Sequence, residues 1–169
     1  MNDLALLFSS AIVMGLGATL TFDLWGQLLK VAFHITPSDI CLIGRWLRTM
    51  PEGTFRHSNI AAAPQKRAEC AVGWIAHYLI GITFAVVFVA LAGESWLRQP
   101  TPLPALAYGI VTVLAPFAIM QPLFGLGFAA SKTANPTAAR LRSLMNHAAF
   151  GAGLYLFAWL VNWLAGALD

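Results

Sequence analysis

The chain has 169 residues, 59% of them hydrophobic and only 10% charged, with ten Lys and Arg against seven Asp and Glu for a net charge of +3. Soluble domains carry about 25% charged residues, so this composition excludes an ordinary water-soluble globule. The basic residues flank apolar stretches and build no continuous basic face, which excludes nucleic acid as a partner and leaves the lipid bilayer as the expected one.

Four stretches reach the roughly 20 apolar residues that cross a hydrocarbon core of about 30 Å. The first covers 4–33, interrupted by Asp23, Gln27 and Lys30, and its Gly15, Gly17 and Ala18 invite close approach of another helix. It lacks a basic n-region and a following cleavage site, so a retained helix is expected rather than a signal peptide.

The loop 34–69 is the one segment large enough to sit outside a membrane. Thr36-Pro37-Ser38-Asp39 starts a short helix and Met50-Pro51-Glu52-Gly53 stops it. Ile40, Leu42, Ile43, Trp46, Leu47 and Met50 fall on one face and Arg45 and Arg48 towards the other, the pattern of a helix lying in the membrane interface. An amphipathic linker with no function of its own fits the same pattern. From Thr54 to Arg67 the chain turns polar, with Phe55-Arg56-His57 and an Ala-Ala-Ala-Pro run that reads as flexible.

The second span covers 70–93, and a short loop joins it to the third, 103–130, as an antiparallel neighbour. Pro116 and Pro122 each remove a backbone donor, predicting a break near Gln121. The fourth covers 140–166, with Trp159 and Trp163 at its end as an interfacial belt. The fold class is therefore all-α: an integral membrane four-helix bundle in one domain, 1–169, with a short interfacial helix in its first loop.

Lys30 through Arg67 holds six basic residues and Lys132 through Arg142 three, against Arg98 alone on the opposite side. The positive-inside rule then makes both basic loops cytoplasmic and both termini periplasmic. Cys41 and Cys70 fall in or beside the cytoplasmic loop, a reducing compartment, so no disulfide is expected.

Counting inward at about 1.5 Å per residue puts Asp23, His77, Gln121 and His147 at one level, roughly 10 Å below the cytoplasmic face. Ionisable residues at such depth cost about 2.5 to 3.5 kcal/mol and face the bundle interior with partners. Asp23 could accept from His77 or His147, with Gln121 and Asn146 completing a ring, and Arg56 and His57 forming a mouth above it. Gly73, His77 and Gly81 repeat at four-residue spacing, as do Ser143, His147 and Gly151, leaving each ring room. Phe22-Asp23-Leu24-Trp25-Gly26 is faintly echoed in Gln121-Pro122-Leu123-Phe124-Gly125, which would make a duplicated two-helix unit.

Three functions follow from this layer. The first is a binding or transport component that takes a small ligand, a metal ion or a proton on Asp23, His77, Gln121, Asn146 and His147. The second is a membrane enzyme acting on a lipid or quinone, or a redox component with haem or a divalent metal as cofactor, held by Asp23, His77 and His147. The third is a structural subunit whose polar layer only fixes packing. No C-x-x-C-H, H-E-x-x-H, Walker lysine or G-x-S-x-G motif is present to favour covalent or phosphate chemistry. Four short helices enclose little volume, so a homo-oligomer is also considered.

Phe22-Asp23-Leu24-Trp25-Gly26, Leu42-Ile43-Gly44-Arg45-Trp46, Met50-Pro51, Phe55-Arg56-His57, Ala76-His77-Tyr78, Met120-Gln121-Pro122 and Gly125-Leu126-Gly127-Phe128 together resemble a bacterial family of small inner-membrane proteins. That family is catalogued only as a domain of unknown function. The resemblance implies bacterial inner-membrane residence and four helices, and it transfers no activity.

Overall fold

The computed structural model describes residues 3–166, with side chains for 7–164. The expectation about the termini concerns ends that lie outside these residues. Helix α1 runs Asp3–Phe33, α2 Cys41–Thr49, α3 Glu69–Arg98, α4 Pro102–Val111, α5 Gln121–Leu123 and α6 Pro136–Gly166. No strand occurs among the described residues. Leu7–Phe33, Glu69–Arg98, Pro102–Leu123 and Pro136–Leu164 are each long and apolar enough to cross a membrane, so the bundle has the composition and lengths of a membrane protein.

The ends of the spans differ from the sequence reading. Helix α3 continues to Arg98, but Gly93 breaks its regularity with a φ of +79°, close to the predicted end at 93. The third span stops at Leu123 instead of 130. Pro116 cannot donate, and the chain answers with one π-helical turn, Pro116–Met120, in which the Gln121 amide reaches back to the Pro116 carbonyl. Past Leu123, Gly125 and Gly127 take positive φ and end the helix.

Small residues set the packing. Gly15 lies against the backbone of Ile82, Gly17 against the Phe157 ring and Gly153 against Ala18, so α1 sits close to both α3 and α6. Helix α6 packs in turn on α4, where Gly109 meets Gly151. The order of neighbours is therefore α3, α1, α6, α4. Helices α3 and α4 are joined by a short turn and meet through Tyr108, which donates to the Phe84 carbonyl at 2.9 Å and sets its ring 5.0 Å from that of Phe88. Farther from the turn, a cavity separates α3 from the third span.

The first loop corrects three expectations. Helix α2 packs on α3 so closely that a Cβ at Gly44 would overlap the Glu69 carbonyl, and one at Gly73 the Ile40 carbonyl. Its apolar face joins Ile60 and Phe124 in a second core. Arg45, read as facing away, is only 5% exposed. Its Nε and Nη2 donate to Glu69 at 2.9 and 2.7 Å, and Nη1 donates to the carbonyls of Ile60, Ala61 and Ala63 at 3.1 to 3.2 Å. The Glu69 hydrogen bond raises the Arg45 pKa above its ordinary value despite burial. The Ala61-Ala62-Ala63 run is thus an acceptor cradle with a fixed shape. Cys41 and Cys70 are paired in a disulfide, Cα to Cα 4.0 Å. The physical reason is the glycine crossing, which brings the first residues of α2 and α3 face to face and which spacing in the sequence could not reveal.

Candidate intramembrane site

The site grows from two helix crossings of the same design. At the first, Gly81 of α3 admits Thr19 of α1, whose hydroxyl donates to its own Gly15 carbonyl at 2.7 Å. One turn along each helix, Asp23 and His77 meet with Oδ1 and Nε2 3.0 Å apart, their side chains 17% and 13% exposed. Tyr78 donates to Asp23 Oδ2 at 3.2 Å. With Asp23 ionised and accepting, His77 carries its proton on Nε2, and the neutral ring keeps Nδ1 as an acceptor.

At the second crossing, Gly109 of α4 meets Gly151 of α6, and one turn along α6 His147 Nδ1 lies 2.7 Å from Thr112 Oγ1. Thr112 spends its own proton on the Gly109 carbonyl at 2.5 Å, so its oxygen accepts from His147 Nδ1–H. That places a proton on Nδ1, so that in the neutral ring Nε2 is the acceptor. Gly81 and Gly151 thus serve the helix crossings that aim the histidines, a stronger role than leaving each ring room.

The predicted ring forms as separate pairs. Asp23 takes His77 and not His147; the Phe22 ring lies edge-on to both imidazoles, at centroid distances of 5.4 and 5.8 Å. Gln121 Nε2 lies 3.5 Å from the Ser143 hydroxyl, one turn of α6 away from His147. The helix break at Pro116 shifts Gln121 out of the counted layer, and Thr112 takes the partner position. Asn146 is only 4% exposed, and its Oδ1, like Gln121 Oε1, is buried without a hydrogen-bond partner. Trp25 Nε1 is a third such atom.

Two cavities meet at this layer. The larger, about 310 Å³, is lined by His77, His147, Gln121, Ser143, Asn146 and Arg142 among apolar side chains that include Phe84, Pro116, Met120, Phe124 and Phe150. The smaller, about 180 Å³, is lined by Asp23, Gln27, Asp39, Trp74, Phe22 and Asn146. Phe22, Asn146 and the Pro37–Ile40 segment border both. Asp39, just ahead of α2, also accepts from the Cys41 amide at 3.0 Å.

Arg56 and His57 border neither cavity. His57 Nε2 sits 3.1 Å from Thr49 Oγ1, and its amide donates to the Leu123 carbonyl at 2.8 Å, so it pins the loop to the end of the third span; Arg56 is exposed. The expected metal set of Asp23, His77 and His147 does not assemble. No group of three or more His, Cys, Asp or Glu placed to hold a metal exists among the described residues. His77 Nε2 is turned to Asp23, His147 Nδ1 to Thr112, and Phe22 lies against both rings, a poor arrangement for one metal or a haem between them. Sequence reasoning missed Tyr78, Thr112, Ser143, Trp74 and Arg142. Tyr78 adjoins His77, which was a usable signal; a threonine in an apolar span carried none.

Compared with known proteins, the chain matches one family model, described as "Protein of unknown function (DUF2938)", over residues 12–161. No curated protein and no solved structure matches it.

Proposed function

The chain belongs to the DUF2938 family, whose description names no activity, and on that footing we propose that it is a multi-pass protein of the bacterial inner membrane that binds a small ligand or proton in the paired cavities. It acts there as a binding or transport component. The observation that carries this reading is the pair of buried amide oxygens without protein partners, Asn146 Oδ1 and Gln121 Oε1, on residues that line the larger cavity. Leaving a buried acceptor unpaired costs about 1 to 3 kcal/mol. A polar clamp that served packing alone would satisfy its own atoms, whereas a ligand with N–H or O–H donors satisfies these. His77 of α3 and His147 of α6 line the same cavity beside them.

The count of basic residues supports a cytoplasmic loop 34–69, and with it a site that opens to the cytoplasm near Pro37–Ile40 and termini on the periplasmic side. The Cys41–Cys70 bridge lies on that same side. In the cytoplasm the pair would be a dithiol, with the glycine crossing and Arg45 keeping α2 in place.

The test is mass spectrometry of small molecules extracted from the protein after purification in mild detergent, beside Asn146→Leu. Wild type is expected to retain a stoichiometric small molecule that the folded variant loses. Identical extracts from the two would count against the reading.

A further inference from the structure

The two cavities differ in charge. Asp39 lines both, but the larger also has Arg142, His77 and His147, whereas the lining of the smaller contains no Lys, Arg or His and adds a second carboxylate, Asp23. We propose that the smaller cavity binds a small organic monocation, a primary or methylated ammonium ion, against Asp23, and that this cation and a proton on His77 exclude one another. The proposal rests on the reading that the polar layer binds a ligand, and it names the class.

Four observations carry it. Asn146, 4% exposed, lines both cavities from α6 and carries a buried carbonyl oxygen without a partner. Such an oxygen accepts one N–H of an ammonium ion. Phe22 and Trp74 supply aromatic faces, on which ammonium and methylated ammonium ions bind through the ring quadrupole. Asp23 accepts from His77 and Tyr78 but retains lone pairs, since an ionised carboxylate offers about four acceptor positions. The volume of about 180 Å³ holds about six waters at roughly 30 Å³ each, room for a few heavy atoms. A hard divalent ion fits less well, because it requires six or more oxygens and the walls are largely carbon.

The exclusion follows from charge. Asp23 faces His77 and Tyr78 from α3, Asp39 from the preceding loop and Asn146 from α6, with His147 beyond the Phe22 ring and Arg142 on the larger cavity. When His77 is protonated, the Asp23–His77 pair is neutral. When His77 is neutral, Asp23 is an uncompensated anion between apolar helices, and an external cation restores neutrality. Binding one cation therefore releases one proton, and by linkage a proton weakens the cation equally.

The experiment is titration calorimetry of the full chain in phosphatidylcholine nanodiscs with ethylammonium and tetramethylammonium chloride. Ethanol and sodium chloride are the controls, and the pH spans about 5 to 8, across the histidine range. Wild type should bind at least one alkylammonium ion, and neither control, with affinity falling about tenfold per pH unit below the proton-binding midpoint. His77→Gln keeps a donor to Asp23 and should bind equally at both ends of the range. Asp23→Asn and Asn146→Leu should each weaken binding tenfold or more. Ethanol binding as well as ethylammonium, or an affinity independent of pH in wild type, would overturn the proposal without any variant. A protein that binds no alkylammonium ion yet still retains an extractable molecule would also overturn it, while leaving the ligand-binding reading intact.

Discussion

Two histidines in apolar helices differ in what holds them, and that difference decides what each can do. His77 is anchored by a carboxylate, so a second proton on its ring makes an ion pair. His147 is anchored by a threonine oxygen that has already donated its hydrogen, so its second proton would stand as an uncompensated charge among apolar helices. A counter-charge therefore stands beside His77, whereas the partner of His147 is a neutral hydroxyl. Thr112→Val should remove the hydroxyl and leave His147 Nδ1–H unpaired, costing about 1 to 3 kcal/mol in unfolding free energy measured in detergent. An unchanged stability would mean that the ring finds another acceptor and that its tautomer is not fixed by Thr112.

The elements show where a sequence speaks and where it is silent. The spans, the helix start after Thr36-Pro37-Ser38-Asp39, the break near Gln121 and the small-residue face of α1 were legible because each follows from local chemistry. Simple counting along straight helices put Asp23 level with His77 and His147, and the structure pairs it with His77. Gln121 was misplaced by the same count, since a π-helical turn alters both rise and rotation. The disulfide and the burial of Arg45 depend on one crossing, Gly44 over Gly73, that neither periodicity nor charge announces. An amphipathic pattern says only that one face is covered, and here protein covers it. Arg45 anchors the arrangement, bonding both Glu69 oxygens and three carbonyls. Removing one partner of a buried ion pair costs about 3 to 5 kcal/mol, so Arg45→Ala should lower the unfolding free energy by about that amount, while Arg45→Met with Glu69→Leu should restore much of it. A loss below about 1 kcal/mol for Arg45→Ala would contradict this role.

At the scale of the whole molecule, charge and cysteines bear on the same question, which side of the membrane the first loop occupies. Nine basic residues against one favour the cytoplasm, where Cys41 and Cys70 would be reduced. Acid-trapping of whole bacterial cells followed by maleimide labelling should then modify both thiols. Cysteines that remain oxidised under the same trapping would reverse the orientation and turn both cavities to the periplasm. Either orientation leaves intact the arc of helices α3, α1, α6 and α4, whose cavities set polar side chains from several helices among apolar ones. The measurement that bears most directly on a ligand-binding role is the unfolding free energy of Asn146→Leu, taken on ligand-free protein beside wild type. If Asn146 faces a ligand, the variant unfolds within about 0.5 kcal/mol of wild type or is more stable, because an unpaired buried amide is gone. If it loses about 2 kcal/mol or more, Asn146 holds the helices together, and the polar layer is a clamp.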